Sequence, residues 1–176
     1  MNAPLSVTAI FTRTHYTVSI GLAGGGSGRV VSAAAGIDCL ADCKSSQPIG
    51  SVVTLTPAPA AGSTFTGWGG VCSGTGTCTV TMSAARAVTA NFARITKVLS
   101  VSKSGTGAGT VTSSPSGISC GSTCSRAFNL DTVVMLTAKP ASGSVFTGWS
   151  GACSGSTSCS VTMSEARAVG ASFNRL

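Results

Sequence analysis

The sequence predicts an all-β chain of two tandem small β modules, each braced by two local disulfides, and three observations carry that prediction. Apolar residues alternate with period two in short runs, such as Val18, Ile20 and Leu22, Val53 and Leu55, or Val88, Ala90 and Phe92. A single fixed shift lays Cys39, Cys43, Cys72 and Cys78 on Cys120, Cys124, Cys153 and Cys159, with no insertion or deletion between them. Helical periodicity is absent, and Gly, Thr, Val and Ser are too dense for a long helix. Each copy is about 80 residues, near the size at which one hydrophobic core is marginal without covalent help.

The first element is the segment ahead of the first copy. Met1, Val7, Thr8, Ala9, Phe11 and Arg13 fall on Met82, Val88, Thr89, Ala90, Phe92 and Arg94, and the pattern returns at Met163, Val169, Ala171, Phe173 and Arg175. Residues 1–13 therefore read as the terminal strand of a preceding repeat, 14–94 as the first module and 95–176 as the second. A fragment of a longer array is expected. It would also explain why Met1 to Val7 lacks the basic start, apolar middle and cleavage site of a signal peptide.

Within the first module, strands are expected at 16–22, 29–33, 51–58, 63–68, 77–82 and 87–93. Gly24 to Gly28, and Gly105 to Gly109 in the second copy, read as hairpin turns that need positive φ. Only 83–87 and 164–168 offer room for a helical turn. The segments Phe65-Thr66-Gly67-Trp68 and Phe146-Thr147-Gly148-Trp149 repeat the same context. Trp68 and Trp149 read as core anchors rather than a carbohydrate-stacking platform, because a small module needs a large apolar residue. Phe65, Phe92, Phe146 and Phe173 follow them into the core.

Four cysteines per module allow three connectivities. The local pairing, Cys39 with Cys43, Cys72 with Cys78, Cys120 with Cys124 and Cys153 with Cys159, is favoured, because the glycine-containing loop from Cys72 to Cys78 lets its ends meet. The rival is a four-thiolate zinc site in each module. It is disfavoured by the wide C-x5-C spacing, by Thr96 standing where His15 would need a counterpart, and by the suitability of paired thiols in short modules for an oxidising compartment. Redox catalysis lacks a C-x-x-C motif. Asp38 and Asp42 flank the first cysteine pair, but Ser119 and Thr123 replace them in the second copy, which argues against a repeated calcium loop.

Four acids, Asp38, Asp42, Asp131 and Glu165, and one histidine, His15, leave little from which to build an acid/base centre. No catalytic residue, cofactor or metal is assigned, and His15 reads as an incidental surface residue. No apolar run reaches the length of a membrane-spanning helix. The formal net charge of +7 comes from eleven basic residues. Arg94 and Arg175 close the terminal strands and Arg86 and Arg167 open them, so these four are the candidate polyanion-binding residues. The alternative is simple solubility of a Ser/Thr/Gly surface. Sequence-specific nucleic-acid recognition is not expected, since neither an aromatic RNA motif nor a DNA-reading helix accompanies the charge.

The turn glycines, Gly-x-x-Cys-x-x-x-Cys, Val-Val-x-Leu-Thr, Pro-Ala-x-Gly-Ser-x-Phe-Thr-Gly-Trp, Cys-x5-Cys-x-Val-Thr-Met-Ser and Ala-Arg-Ala-Val occur in this order in both copies. Together they resemble the divergent internalin-type B-repeat of bacterial surface proteins. That resemblance implies β-grasp-related or sandwich-like modules strung in tandem outside the cell as spacers, stalks or adhesion modules; the cysteine pairs depart from its usual pattern. The expected function is a non-enzymatic extracellular or cell-surface structural repeat, with short inter-module connections limiting bending. The alternative is a binding module for anionic glycans, wall polymers or extracellular DNA. The strand from Leu5 to Arg13 is expected to pair with the first module or to add to a neighbouring molecule, giving self-association.

Overall fold

Period-two burial sorts most strands into an inner and an outer face. A computed structural model describes residues 7–121 and 124–176, and the chain divides into two compact units, Met1–Ala93 and Arg94–Leu176. The first unit holds β1 (His15–Ala23), β2 (Gly28–Ser32), β3 (Ile37–Cys39), β4 (Cys43–Pro48), β5 (Val52–Pro59), β6 (Ser63–Gly70), β7 (Cys78–Thr81) and β8 (Arg86–Arg94). They form two four-stranded sheets, ordered β4-β1-β8-β6 and β3-β2-β5-β7. One core cluster draws Val18, Ile20, Trp68, Val88 and Phe92 from the first sheet and Val30, Val53, Leu55 and Val80 from the second. The module is thus a two-layer sandwich, with no helix among the described residues.

The second unit repeats the plan with β9 (Thr96–Ser104), β10 (Gly109–Ser114), β11 (Ser125–Asn129), β12 (Val133–Pro140), β13 (Ser144–Gly151), β14 (Cys159–Thr162) and β15 (Arg167–Arg175). Its sheets are ordered β11-β9-β15-β13 and β10-β12-β14, and it has its own core cluster. Where the first unit has β3, the second has a single bridge between Thr112 and Ser119.

In both units the first and last strands are parallel neighbours. β1 pairs with β8 from Val18↔Arg86 to Ala23↔Asn91, and β9 pairs with β15 from Leu99↔Arg167 to Ser104↔Ser172. The terminal strand is therefore central, with β6 on its other side in the first unit and β13 in the second.

Four expectations need correction. The glycine run Gly24–Gly28 does not close a hairpin: β1 and β2 lie in different sheets, so the chain crosses between layers there. Gly24, Gly26 and Gly28 are required by close approach to β8. A Cβ on Gly24, at φ +96°, would stand 2.1 Å from the Phe92 carbonyl oxygen, and one on Gly28 would stand 2.5 Å from the Phe92 ring. Next, β3 and β4 are additional strands, β4 being a polar edge strand paired with β1. The segments near Ser83 and Ser164 are bends leading into β8 and β15 rather than helical turns. Lastly, residues 7–14 form no strand, and Val7, Ile10 and Phe11 are exposed; residues 1–6 lie outside the described residues. Their sequence copies β8, but the two strands that pair with that sequence in the first unit, β1 and β6, are already occupied by β8 itself.

Candidate functional site

The cysteines act where the chain changes layers. Cys39 ends β3 in one sheet and is bonded to Cys43, which begins β4 in the other. Cys72, just past β6, is bonded to Cys78, the first residue of β7 in the opposite sheet. The second unit joins Cys120 to Cys124 and Cys153 to Cys159. There the Cys120 N–H donates to Val111 on β10, while the Cys124 carbonyl accepts from Val101 on β9, so this bridge also connects the two layers. In each pair one half-cystine is fully buried: Cys39, Cys78, Cys120 and Cys159.

The tryptophans hold the second disulfide loop of each module. Trp68 is buried; its backbone N–H donates to Gly74 O at 2.8 Å and its indole N–H to Gly76 O at 2.6 Å, both inside the Cys72–Cys78 loop. Trp149 donates likewise to Gly155 O and Thr157 O. Phe65 and Phe146 pack edge-on against these indoles at 5.0 and 4.9 Å between centroids. No indole face is left open for stacking a sugar.

The arginines do not converge within a module. Arg86 and Arg94 open and close β8, and Arg167 and Arg175 open and close β15, so each pair is separated by roughly 26 Å of extended chain. Arg86 and Arg167 share the inward parity of Val88 and Val169 and stand half-buried at the rim of the core. Arg167 makes an ion pair with Glu165 at 2.9 Å. Arg13 lies over the Tyr16 ring at 5.5 Å from its centroid.

The acids near the first disulfide are engaged locally. Asp38 pairs with Arg29 at 3.1 Å, and Asp42 Oδ1 accepts from the Leu22 N–H at 2.7 Å. His15 is exposed, with Nδ1 2.9 Å from its chain neighbour Thr14 Oγ1. An open cleft of about 520 Å³ beside Leu40 and Gly28 has Asp42 as its one ionisable lining residue. A nucleophile needs a base and an orienting group, and this lining supplies no such set.

Sequence reasoning reached the cysteine pairs and the buried tryptophans but missed that each disulfide spans the sandwich. The missed signal was the polar run Lys44-Ser45-Ser46-Gln47, which alternates in burial as an edge strand does.

A family model described as a divergent InlB B-repeat domain matches residues 18–96 and again 99–176. No curated protein matches the chain. Among solved structures, the Bacillus anthracis TIE protein is 9% identical over 93% of this chain and 34% of its own, with a TM-score of 0.49. This chain therefore spans about a third of that protein's length. The major pilin of Streptococcus pyogenes is 8% identical over 94% of this chain and 98% of its own, with a TM-score of 0.44. The minor pilin of Streptococcus agalactiae is 8% identical over 92% and 96%, with a TM-score of 0.32.

Proposed function

The chain belongs to the divergent InlB B-repeat domain family, and from that premise we propose that it is a non-enzymatic, load-bearing repeat segment, a stalk or spacer displayed outside a bacterial cell. The observation that carries this reading is the parallel pairing of first and last strands in both modules. Tension enters at the start of β1 and leaves at the end of β8. Because these strands are adjacent and parallel, the pull drives them in opposite directions along their length. The ladder from Val18↔Arg86 to Ala23↔Asn91 is then loaded all at once instead of being peeled bond by bond. The layer-crossing disulfides add a stop, since the chain inside each ring cannot extend. They also fit an oxidising exterior.

Single-molecule pulling tests this. A module held by residues 14 and 95 is expected to rupture at a force several-fold higher than the same module held by residues 25 and 95, where both handles sit at one end of the parallel pair. Equal forces in the two geometries would remove the mechanical reading. Reduction is expected to lengthen each unfolding step by about 2.4 nm, from rings with sequence separations of 4 and 6 at ~3.5 Å per residue, less the 5.8 and 5.7 Å between Cα atoms that the closed rings already span.

Self-association through the N-terminal segment is part of the same proposal. Exposed Val7, Ile10 and Phe11 repeat the apolar content of a central strand, and an edge strand of a second copy supplies a partner for it. Deleting residues 1–13 is expected to abolish concentration-dependent oligomers in sedimentation. Oligomers that survive the deletion place the contact elsewhere.

A further inference from the structure

The two modules form a natural comparison at the arginine that opens each terminal strand. In the second, Arg167 donates through Nη1 to Glu165 Oε1 at 2.9 Å and through Nη2 to Ser164 Oγ at 3.3 Å. In the first, Arg86 Nη2 donates to Ser83 Oγ at 2.7 Å, but the position of the glutamate is held by Ala84. Among the described residues no carboxylate pairs with Arg86, and its Nε is buried without any hydrogen-bond partner. That Nε is closed off from the surface, so a partner from outside the chain meets the guanidinium at its terminal nitrogens, the kind of atom that Glu165 meets on Arg167.

The space for that partner is present. Arg86 lines an open cleft of about 280 Å³ together with Val71, Thr79, Val80 and Thr81. The last three belong to β7, the edge strand of its sheet, so unpaired backbone groups and two threonines border the same cleft as the guanidinium. A carboxylate matches the guanidinium fork, and an extended segment matches a strand edge.

We propose that the first module carries a docking site for an acidic peptide segment. The peptide lies along β7 and places one carboxylate on Arg86, where the second module uses its own Glu165. Ser83 holds the guanidinium in place. The second module is closed to the same ligand, because Glu165 already occupies the equivalent arginine. The occupant is a peptide rather than an acidic sugar because the one carboxylate seen on this type of site is a glutamate side chain and because the cleft is walled by strand backbone. The site rests on the asymmetry between the modules and stands apart from any load-bearing role.

The test is an NMR titration of the arginine Nε–H signals in the intact, oxidised chain with the blocked peptide acetyl-TVEVT-amide, its glutamine analogue acetyl-TVQVT-amide, and glucuronate. The expected result is a saturable shift of Arg86 Nε–H with the glutamate peptide, at least about tenfold weaker with the glutamine analogue, and no saturable shift of Arg167. Ala84→Glu, which copies the second module at an exposed position, is expected to abolish the response; Glu165→Ala is expected to create one at Arg167. An unmoved Arg86, equal binding of the two peptides, or undiminished binding to Ala84→Glu overturns the site. Glucuronate binding as tightly as the peptide overturns the choice of a peptide.

Discussion

Phe92→Ala is expected to unfold the first module near room temperature and leave the second folded. Phe92 is 2% exposed and stands where three features meet. Its ring lies edge-on to Phe65 at 5.5 Å, and Phe65 in turn contacts Trp68. Gly28, at the crossing between layers, is bare because the Phe92 ring fills the place of its Cβ. Removing the ring empties a cavity that neither sheet can close, since β8 is pinned on both sides by hydrogen-bonded neighbours. Phenylalanine-to-alanine changes in cores cost about 3–5 kcal/mol, and a module of this size has little more than ~5 kcal/mol to lose. The two core clusters share no residue, so the second module has no reason to follow. Denaturant unfolding should show one transition missing at zero denaturant and one unchanged. Phe173→Ala should give the mirror result. Two intact transitions, displaced by less than about 1 kcal/mol, would mean that Phe92 is not the keystone of its core.

That keystone was visible in the sequence because Phe92 and Phe173 recur in register with alternating apolar neighbours, and burial follows alternation wherever a strand has one inward face. Less was visible at Gly24–Gly28. Glycines report that the backbone turns or approaches something closely, but not which sheet the next strand joins. Two sheets stacked on one core leave that choice to long-range packing. Strand β4 was hidden for a related reason: an edge strand that covers polar ground carries Lys44, Ser45 and Ser46, and its one buried side chain, Gln47, is satisfied by hydrogen bonds to Ala35 O and Ser45 Oγ. The segment before residue 14 shows the reverse. It has the composition of a central strand but lacks neighbours, and composition alone makes no ladder. At Arg86 the repeat drew attention to the arginine, whereas the informative position was two residues earlier, where the first copy has Ala84 and the second has Glu165.

Reducing all four disulfides is expected to lower the stability of each module by about 4 kcal/mol, an effect as large as losing the central phenylalanine. Each small ring restricts the unfolded chain by about 2 kcal/mol on loop-entropy grounds, and each module has two. The entropic figure understates the native contribution of these bonds, because their location matters as well as their ring size. Cys39 and Cys43 tie β3 to β4 at one crossing between layers, and Cys72 and Cys78 tie the end of β6 to the start of β7 at another. Opening either leaves two sheets joined there only by a loop and by side-chain packing. The second ring also presents Gly74 and Gly76 to Trp68. Its loss frees the loop that supplies the acceptor and leaves the buried indole N–H without its partner, at a cost of about 1–3 kcal/mol. Cys72→Ala with Cys78→Ala should therefore destabilise the first module more than Cys39→Ala with Cys43→Ala, although ring entropy alone makes the two nearly equal. Denaturant midpoints of the two double variants, measured beside the fully reduced chain, separate the contributions. A reduced chain with the midpoint of the oxidised one would show that the sandwich stands without its staples, and the case for an oxidising exterior would lose its physical basis.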